Sequence, residues 1–309
     1  MTRTHYILLL LSTLLLGSCA TYERSFSETL TAIPEKQKQP VYRLDLSGQN
    51  LKHPPENLAS CTSLKMLNLS GNEELDLESL FKEIPNPEEL EILILDSLGL
   101  KKIPANIKRF AQLKHLSLNH NPKADFDAIF KTVEDLPIAF INLQHNALEK
   151  LPVSISNLKK LNSINLNHNQ LLSDDSYTTL SLLPKLSSLW LSHNKMTSLS
   201  PEIGHLSSLR NLYVEHNQLT SFPEEITYLE KLWVVHAGHN SFEEIPLVLS
   251  RMKILLLLHL NNNRIQHISE AFASKKHSIK GIILDNNALS DADKKRWAKE
   301  FDAYFITSF

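Results

Sequence analysis

One asparagine position recurs through most of this chain, and its spacing restricts the fold more than any other feature. It falls at Asn72, Asn121, Asn146, Asn169, Asn194, Asn217, Asn240, Asn263 and Asn287. Gln49 and Leu98 fill the same place twice, and all steps are 23 to 26 residues. Around it runs Leu-x-x-Leu-x-Leu-x-x-Asn-x-Leu, complete in Leu209-Arg-Asn-Leu212-Tyr-Val214-Glu-His-Asn217-Gln-Leu219. A period of this length marks a stack of structural repeats. Within each unit, Leu-x-Leu reads as a short strand whose leucines point inward and whose middle residue points to solvent. Parallel strands ~4.8 Å apart make eleven units a ladder of roughly 50 Å. A buried asparagine at each turn supplies hydrogen bonds to loop backbone, so stacked copies form a polar ladder. No unit can bury its apolar face alone, and stability is a sum over neighbours.

Several units continue as Ile103-Pro104-x-x-Ile107, Leu151-Pro152-x-x-Ile155, Phe222-Pro223-x-x-Ile226 and Ile245-Pro246-x-x-Leu249. Together with the asparagine template, this resembles the leucine-rich-repeat family over residues 41–289, in its bacterial and plant-like 23-residue form. The resemblance implies an α/β solenoid: a right-handed arc with a parallel β-sheet on the concave face and short helices or 3-10 turns on the convex face. It also implies a binding function rather than catalysis. Departures are confined mainly to the first half. Leu98 replaces the asparagine, so Asp96-Ser97-Leu98-Gly99-Leu100 is expected to turn differently. The longer units carrying Leu75 to Ile84, Phe126 to Leu136 and Tyr177 to Leu183 are expected to bulge as helical turns.

Residues 1–18 read as an address. Arg3 precedes a ten-residue apolar run, Ile7 to Leu16. As a helix that run reaches ~15 Å, half the hydrocarbon core, so it cannot span a bilayer and fits a signal peptide. Leu16-Gly17-Ser18-Cys19 follows directly and resembles the bacterial lipoprotein signal. That resemblance implies a mature chain starting at Cys19, with a thioether-linked diacylglycerol and an N-acyl chain such as palmitate. Ala20 after it points by the Gram-negative sorting rule to the outer membrane. Residues 19–40 then read as a lipidated tether and N-terminal cap, with Phe26, Leu30 and Ile33 as candidates to cover the first repeat. Residues 290–309 read as a C-terminal helical cap. Ser290 is its N-cap, and Trp297, Phe301 and Tyr304 lie at helical spacing to seal the last core layer. An amphipathic partner helix is the alternative.

The chemistry open to this chain is narrow. Its formal charge of −2 provides no basic field for nucleic acid. Two cysteines exclude a disulfide scaffold, and Cys61 fits a small buried repeat position. Gly-x-Ser-x-Gly, His-Glu-x-x-His, a phosphate loop and Gly-x-Gly-x-x-Gly are all missing, so the chain is not expected to be an enzyme or to carry a cofactor.

Two columns of side chains stand out instead. The middle strand position runs Asp45, Asn68, Ile94, Ser117, Asn142, Asn165, Trp190, Tyr213, His236, His259 and Ile283. Four consecutive rings, with Val234 and Leu257 beside them and Glu215 in the following column, form a candidate partner-binding patch: Trp190, Tyr213, Glu215, Val234, His236, Leu257 and His259. Cross-strand packing without a ligand is the competing explanation. The second column, just before the asparagine, is His120, His145, His168, His193, His216 and His239. It fits a metal line, a pH sensor or simply a residue that suits this turn, the last being favoured because no carboxylate or thiolate recurs with it. The reading reached is a monomeric, membrane-anchored scaffold holding a protein or peptide. An envelope assembly protein and a glycan-binding accessory are the alternatives.

Overall fold

The computed structural model describes residues 28–34, 39–171, 174–273, 277–301, 304 and 306–308. The signal segment, Cys19 and Phe26 lie outside the described residues. Among the described residues, no helix is long and apolar enough to cross a membrane. The chain divides into two compact units, one of residues up to 146 with 152–161, the other of residues 147–151 with 162 onward.

The first unit carries β1 (Arg43–Asp45), β2 (Met66–Asn68), β3 (Ile92–Ile94), β4 (His115–Ser117) and β5 (Phe140–Asn142). They pair in parallel and in chain order, so that Asp45, Asn68, Ile94, Ser117 and Asn142 stand side by side. Leu30 extends the ladder beyond β1: its N–H donates to Arg43 O at 3.0 Å and its carbonyl accepts from Asp45 N at 2.8 Å. Two helices lie in the longer units, α1 (Leu77–Glu83) and α2 (Phe126–Val133). Asp76 and Asp125 cap them by accepting from Ser79 N and Ala128 N. Leu77, Leu80 and Phe81 of α1, and Phe126, Ile129, Phe130 and Val133 of α2, fill the core at helical spacing.

The second unit carries β6 (Ser163–Asn165), β7 (Ser188–Trp190), β8 (Asn211–Tyr213), β9 (Val234–His236), β10 (Leu257–His259), β11 (Gly281–Ile283) and β12 (Ile306–Ser308). These too pair in parallel and in order. Its helices are α3 (Asp174–Ser181), α4 (Glu270–Ala273) and α5 (Asp291–Glu300). Short 3-10 turns return the chain in most of the other units. The Pro-x-x-Ile step starts them because proline presets φ and has no N–H to lose. The isoleucine then drops fully into the core, as at Ile107, Ile155, Ile203 and Ile226. In one unit Ser200 takes the proline's place and caps instead, its hydroxyl accepting from Glu202 N at 3.1 Å.

The asparagine ladder forms as its chemistry requires. Asn217 is nearly buried, its Nδ2 donates to Leu191 O and Val214 O, both at 3.0 Å, and its Oδ1 accepts from Asn194 N and Met196 N. Leu98 leaves a gap that its neighbours fill. Asn72 Nδ2 donates to Leu69 O at 2.8 Å and Asn121 Nδ2 to Leu95 O at 3.0 Å, so these two carbonyls keep donors. The turn at Leu98 therefore needs no different geometry. Ser97 and Gly99 keep the positive φ of the turn, and Leu98 is buried.

The C-terminal segment is more than a helix. Ser290 caps α5 through Asp293 N at 3.1 Å, and α5 buries Trp297. The helix ends at Glu300. Phe301 is buried just beyond it, and Ile306–Ser308 returns to the ladder as a twelfth strand on β11.

Candidate functional site

The ring column lies on the sheet face of the second unit, and its register follows from the strands. Trp190, Tyr213, His236 and His259 are paired neighbours on β7 to β10. Each strand has a half-exposed, buried, half-exposed pattern at β7, β8 and β9, so the rings stand on the solvent side while Leu189, Leu212 and Val235 go inward. Trp190 and Tyr213 stack with centroids 4.9 Å apart, and Tyr213 and His236 at 4.6 Å. His259 tilts by 51° against His236 at 4.1 Å. Burial lowers the pKa of His236 to about 3, helped by His259, and that of His259 to about 4. Both imidazoles are therefore neutral at physiological pH.

Glu215 sits at the edge of this column. Its Oε2 accepts from Ser192 Oγ at 2.7 Å, and its Oε1 lies 3.6 Å from His236 Nδ1. Burial raises the carboxyl's pKa, the Ser192 hydrogen bond working against it. Because His236 is neutral, this close pair is not an ion pair. Gly238 follows Glu215 in register, and Asn261 lies over it: a Cβ on Gly238 would stand 2.7 Å from Asn261 Oδ1.

Val234 is half-buried beside the rings. Leu257 does not offer the solvent-facing surface expected of it. In register between Val234 and Gly281, it retains 8% exposure and counts with the core. Trp233, one residue before β9, is the more available apolar side chain at 42% exposure.

The histidine column has a backbone cause. His120, His145, His168, His193, His216 and His239 all have φ between 52° and 59°, and Gly48, Gly71, Ser97, Asn262 and Asn286 hold the same position in the other units with positive φ. Left-handed backbone is costly for most side chains, and His, Asn and Gly tolerate it better. The rings then stack, His120 on His145 in the first unit and His168, His193, His216 and His239 in the second, at 4.0–4.2 Å and nearly parallel. Ring nitrogens in parallel planes point side by side instead of converging on one ion. Among the described residues, no group of three His, Cys, Asp or Glu side chains stands ready for a metal. The pKa of His216 is lowered by burial, then by His239 and His168.

The two columns line one cavity of about 510 Å³, with Trp190, Tyr213 and His259 from one and His168, His193, His216 and His239 from the other. Ser192, Glu215 and Asn261 complete it between them. Reading each column separately along the sequence misses this shared space. The signal was the fixed offset of three residues, as in Tyr213 and His216, which places both on the same strand exit.

Comparison with known proteins agrees with this architecture. Residues 159–219 and 184–242 match the family described as Leucine rich repeat. No curated protein sequence matches the chain. Among solved structures, TLR13 in a complex with ssRNA13 is 22% identical with a TM-score of 0.63, over 81% of this chain and 40% of that one. Toll, in the Drosophila Toll–Spatzle complex, is 23% identical with a TM-score of 0.60, over 75% of this chain and 31% of that one. An internalin (inlF) of Listeria monocytogenes is 17% identical with a TM-score of 0.52, over 81% of each chain. The chain thus spans less than half the length of TLR13 and Toll. At these identities the likeness is one of fold: the protein has the leucine-rich-repeat solenoid fold.

Proposed function

We propose that this protein is a non-enzymatic scaffold that holds a protein or peptide partner against its sheet face, at the surface around Trp190, Tyr213, Glu215, His236 and His259. The observation that carries this reading is the shared cavity of about 510 Å³, walled by two side-chain columns that the core does not use. This cavity is an open depression rather than an enclosed pocket, which suits a protein or peptide surface laid against it. Aromatic side chains in such a position are frequent anchors of protein interfaces. Two fold neighbours, TLR13 and Toll, occur in complexes with ssRNA13 and Spatzle, which supports this fold as a ligand-holding one. A formal charge of −2 favours a protein ligand over nucleic acid here.

The glycan-binding alternative receives less support. A sugar packs its C–H groups on open aromatic faces, whereas Tyr213 has Trp190 on one side and His236 on the other. Tyr213 therefore offers the site its ring edge, which suits peptide side chains and hydrogen-bonding groups.

We further propose that Cys19 carries the lipid anchor and fixes the mature protein to the outer membrane. The apolar run Ile7 to Leu16 and the small residues Gly17 and Ser18 before Cys19 support this. Incorporation of an alkyne-palmitate in the native host, lost in Cys19→Ala, tests the anchor. In-cell crosslinking followed by capture tests the patch: the Trp190→Ala/Tyr213→Ala variant should fold and lose the partners that the native protein retains. An unchanged set of partners would refute the patch.

A further inference from the structure

Most close acid–base pairs on this protein join neighbouring repeats. Lys65 meets Glu89 at 2.8 Å, Lys114 meets Glu91 at 3.0 Å, Lys253 meets Glu230 at 2.7 Å, and Arg251 meets Glu224. Glu215 breaks the habit. It is the one acid lining the cavity, and among the described residues no lysine or arginine reaches it. Its side chain keeps only 27% of its exposure. Its polar neighbours are the Ser192 hydroxyl at 2.7 Å and the His236 ring at 3.6 Å, and His239 on the same cavity wall also acts on it, pulling its pKa down. A hydroxyl bond accommodates one lone pair and supplies no charge, and the His236 ring is neutral because it is buried. A partly desolvated carboxylate with no lysine or arginine partner, and only histidines near it, gains when a permanent cation arrives with hydrogen-bond donors.

The surroundings select the shape of that cation. No lysine or arginine lines the cavity; its basic side chains are histidines, with His168, His193, His216 and His239 on one wall. Ring edges of Trp190 and Tyr213 form an apolar flank, which suits the methylene stem of a long basic side chain. The carbonyl oxygens of Asn167 and Asn261 lie at the same floor; the first already accepts Ser192 N at 2.7 Å, and the second lies over Gly238.

We propose that Glu215 is the anchor for a lysine or arginine side chain of the partner, which enters the cavity between the ring column and the histidine column with its stem against Trp190 and Tyr213. This deepens the binding reading above and rests on it. The interaction supplies the permanent cation, a lysine or arginine, that the cavity lining lacks. It also sets specificity: a partner segment lacking a basic residue at this point leaves Glu215 desolvated and unpaired.

Three tryptophans give three indole N–H signals by NMR, and Trp190→Phe identifies the one at the site. The probes are the tripeptide amides acetyl-Ala-Arg-Ala, acetyl-Ala-Lys-Ala and acetyl-Ala-citrulline-Ala, the last nearly isosteric with the first and uncharged. The Trp190 signal should shift saturably with the two cationic peptides, with the Trp297 signal unmoved. The citrulline peptide should bind roughly tenfold more weakly, and Glu215→Gln should weaken the cationic peptides by about the same factor. Unmoved Trp233 and Trp297 signals report that Glu215→Gln is folded. Equal binding of the citrulline peptide, no saturable shift with either cation, or full retention by Glu215→Gln would each overturn the proposal. Partner capture separates the two readings. If Glu215→Gln still captures the partners that Trp190→Ala/Tyr213→Ala loses, the patch stands and the cationic anchor falls.

Discussion

The rings of Trp190 and Tyr213 lie 4.9 Å apart and 6° from parallel on adjacent strands. Each therefore hides one face from water, and Tyr213 hides the other against His236. The stack is part of what holds β7, β8 and β9 in register, as well as a surface. Offset ring pairs add about 0.5–1.5 kcal/mol beyond area burial. In a double-mutant cycle with Trp190→Leu and Tyr213→Leu, urea unfolding should show a coupling of about 1 kcal/mol. Strict additivity would mean that the rings stand together without interacting.

The ladder predicts a second coupling. Asn217 Nδ2 shares Leu191 O with Asn194 and Val214 O with Asn240. Replacing Asn217 by Leu leaves both carbonyls a donor, the arrangement seen naturally around Leu98. It orphans the amides of Asn194 and Met196, at about 2 kcal/mol. Removing Asn240 as well strips Val214 O of both side-chain donors. Asn217→Leu/Asn240→Leu should therefore cost more than the two single variants combined. A double variant at or below that sum would show that backbone shifts, rather than shared donors, absorb the loss.

Much of this was legible in the sequence because the template fixes register. Once Leu212 and Val214 are inward, Tyr213 must face solvent beside Trp190 and His236. The sequence also locates the helical bulges, since Leu77, Leu80 and Phe81 have helical spacing. What it does not carry is ring orientation. A column of rings at one position is equally compatible with splayed faces and with the closed stack found here. Nor does the template show the burial of Leu257, which depends on what its flanking strands leave uncovered. The strand at Ile306–Ser308 lacks the leucine pattern altogether and joins the ladder through backbone pairing. The histidine line was visible, but its cause is a dihedral angle shared with Gly48, Gly71 and Asn262.

That dihedral makes a separate prediction for His216, with φ of 52°. Asn and Gly accept left-handed backbone at little cost, whereas a β-branched side chain does not. His216→Asn should leave the unfolding midpoint nearly unchanged, and His216→Val should destabilise by roughly 1–2 kcal/mol. Equal effects of the two would show that the ring stack, and not the turn, selects histidine there.

The half-buried imidazoles of His236 and His259 give the second unit a pH dependence of definite sign. His236 and His259 have pKa values lowered from 6.5 to about 3 and about 4, chiefly by burial. A group that binds its proton less readily when folded contributes fully above pH 6.5, and its contribution is lost as pH falls toward the folded value. At pH 4 the loss is on the order of 3 kcal/mol for either ring, read as a coupled pair because the rings lie 4.1 Å apart. Glu215, raised by its own burial, acts in the opposite sense just above the ordinary carboxylate range. Tyr213, raised from 10.0, stays neutral throughout this window. Stability measured by tryptophan fluorescence in urea should therefore fall steadily between pH 6.5 and 4. In His236→Asn/His259→Asn that slope should flatten markedly. If the double variant kept the native slope, the titration would belong to other groups, and the ring column would not be the acid-sensitive part of the ladder.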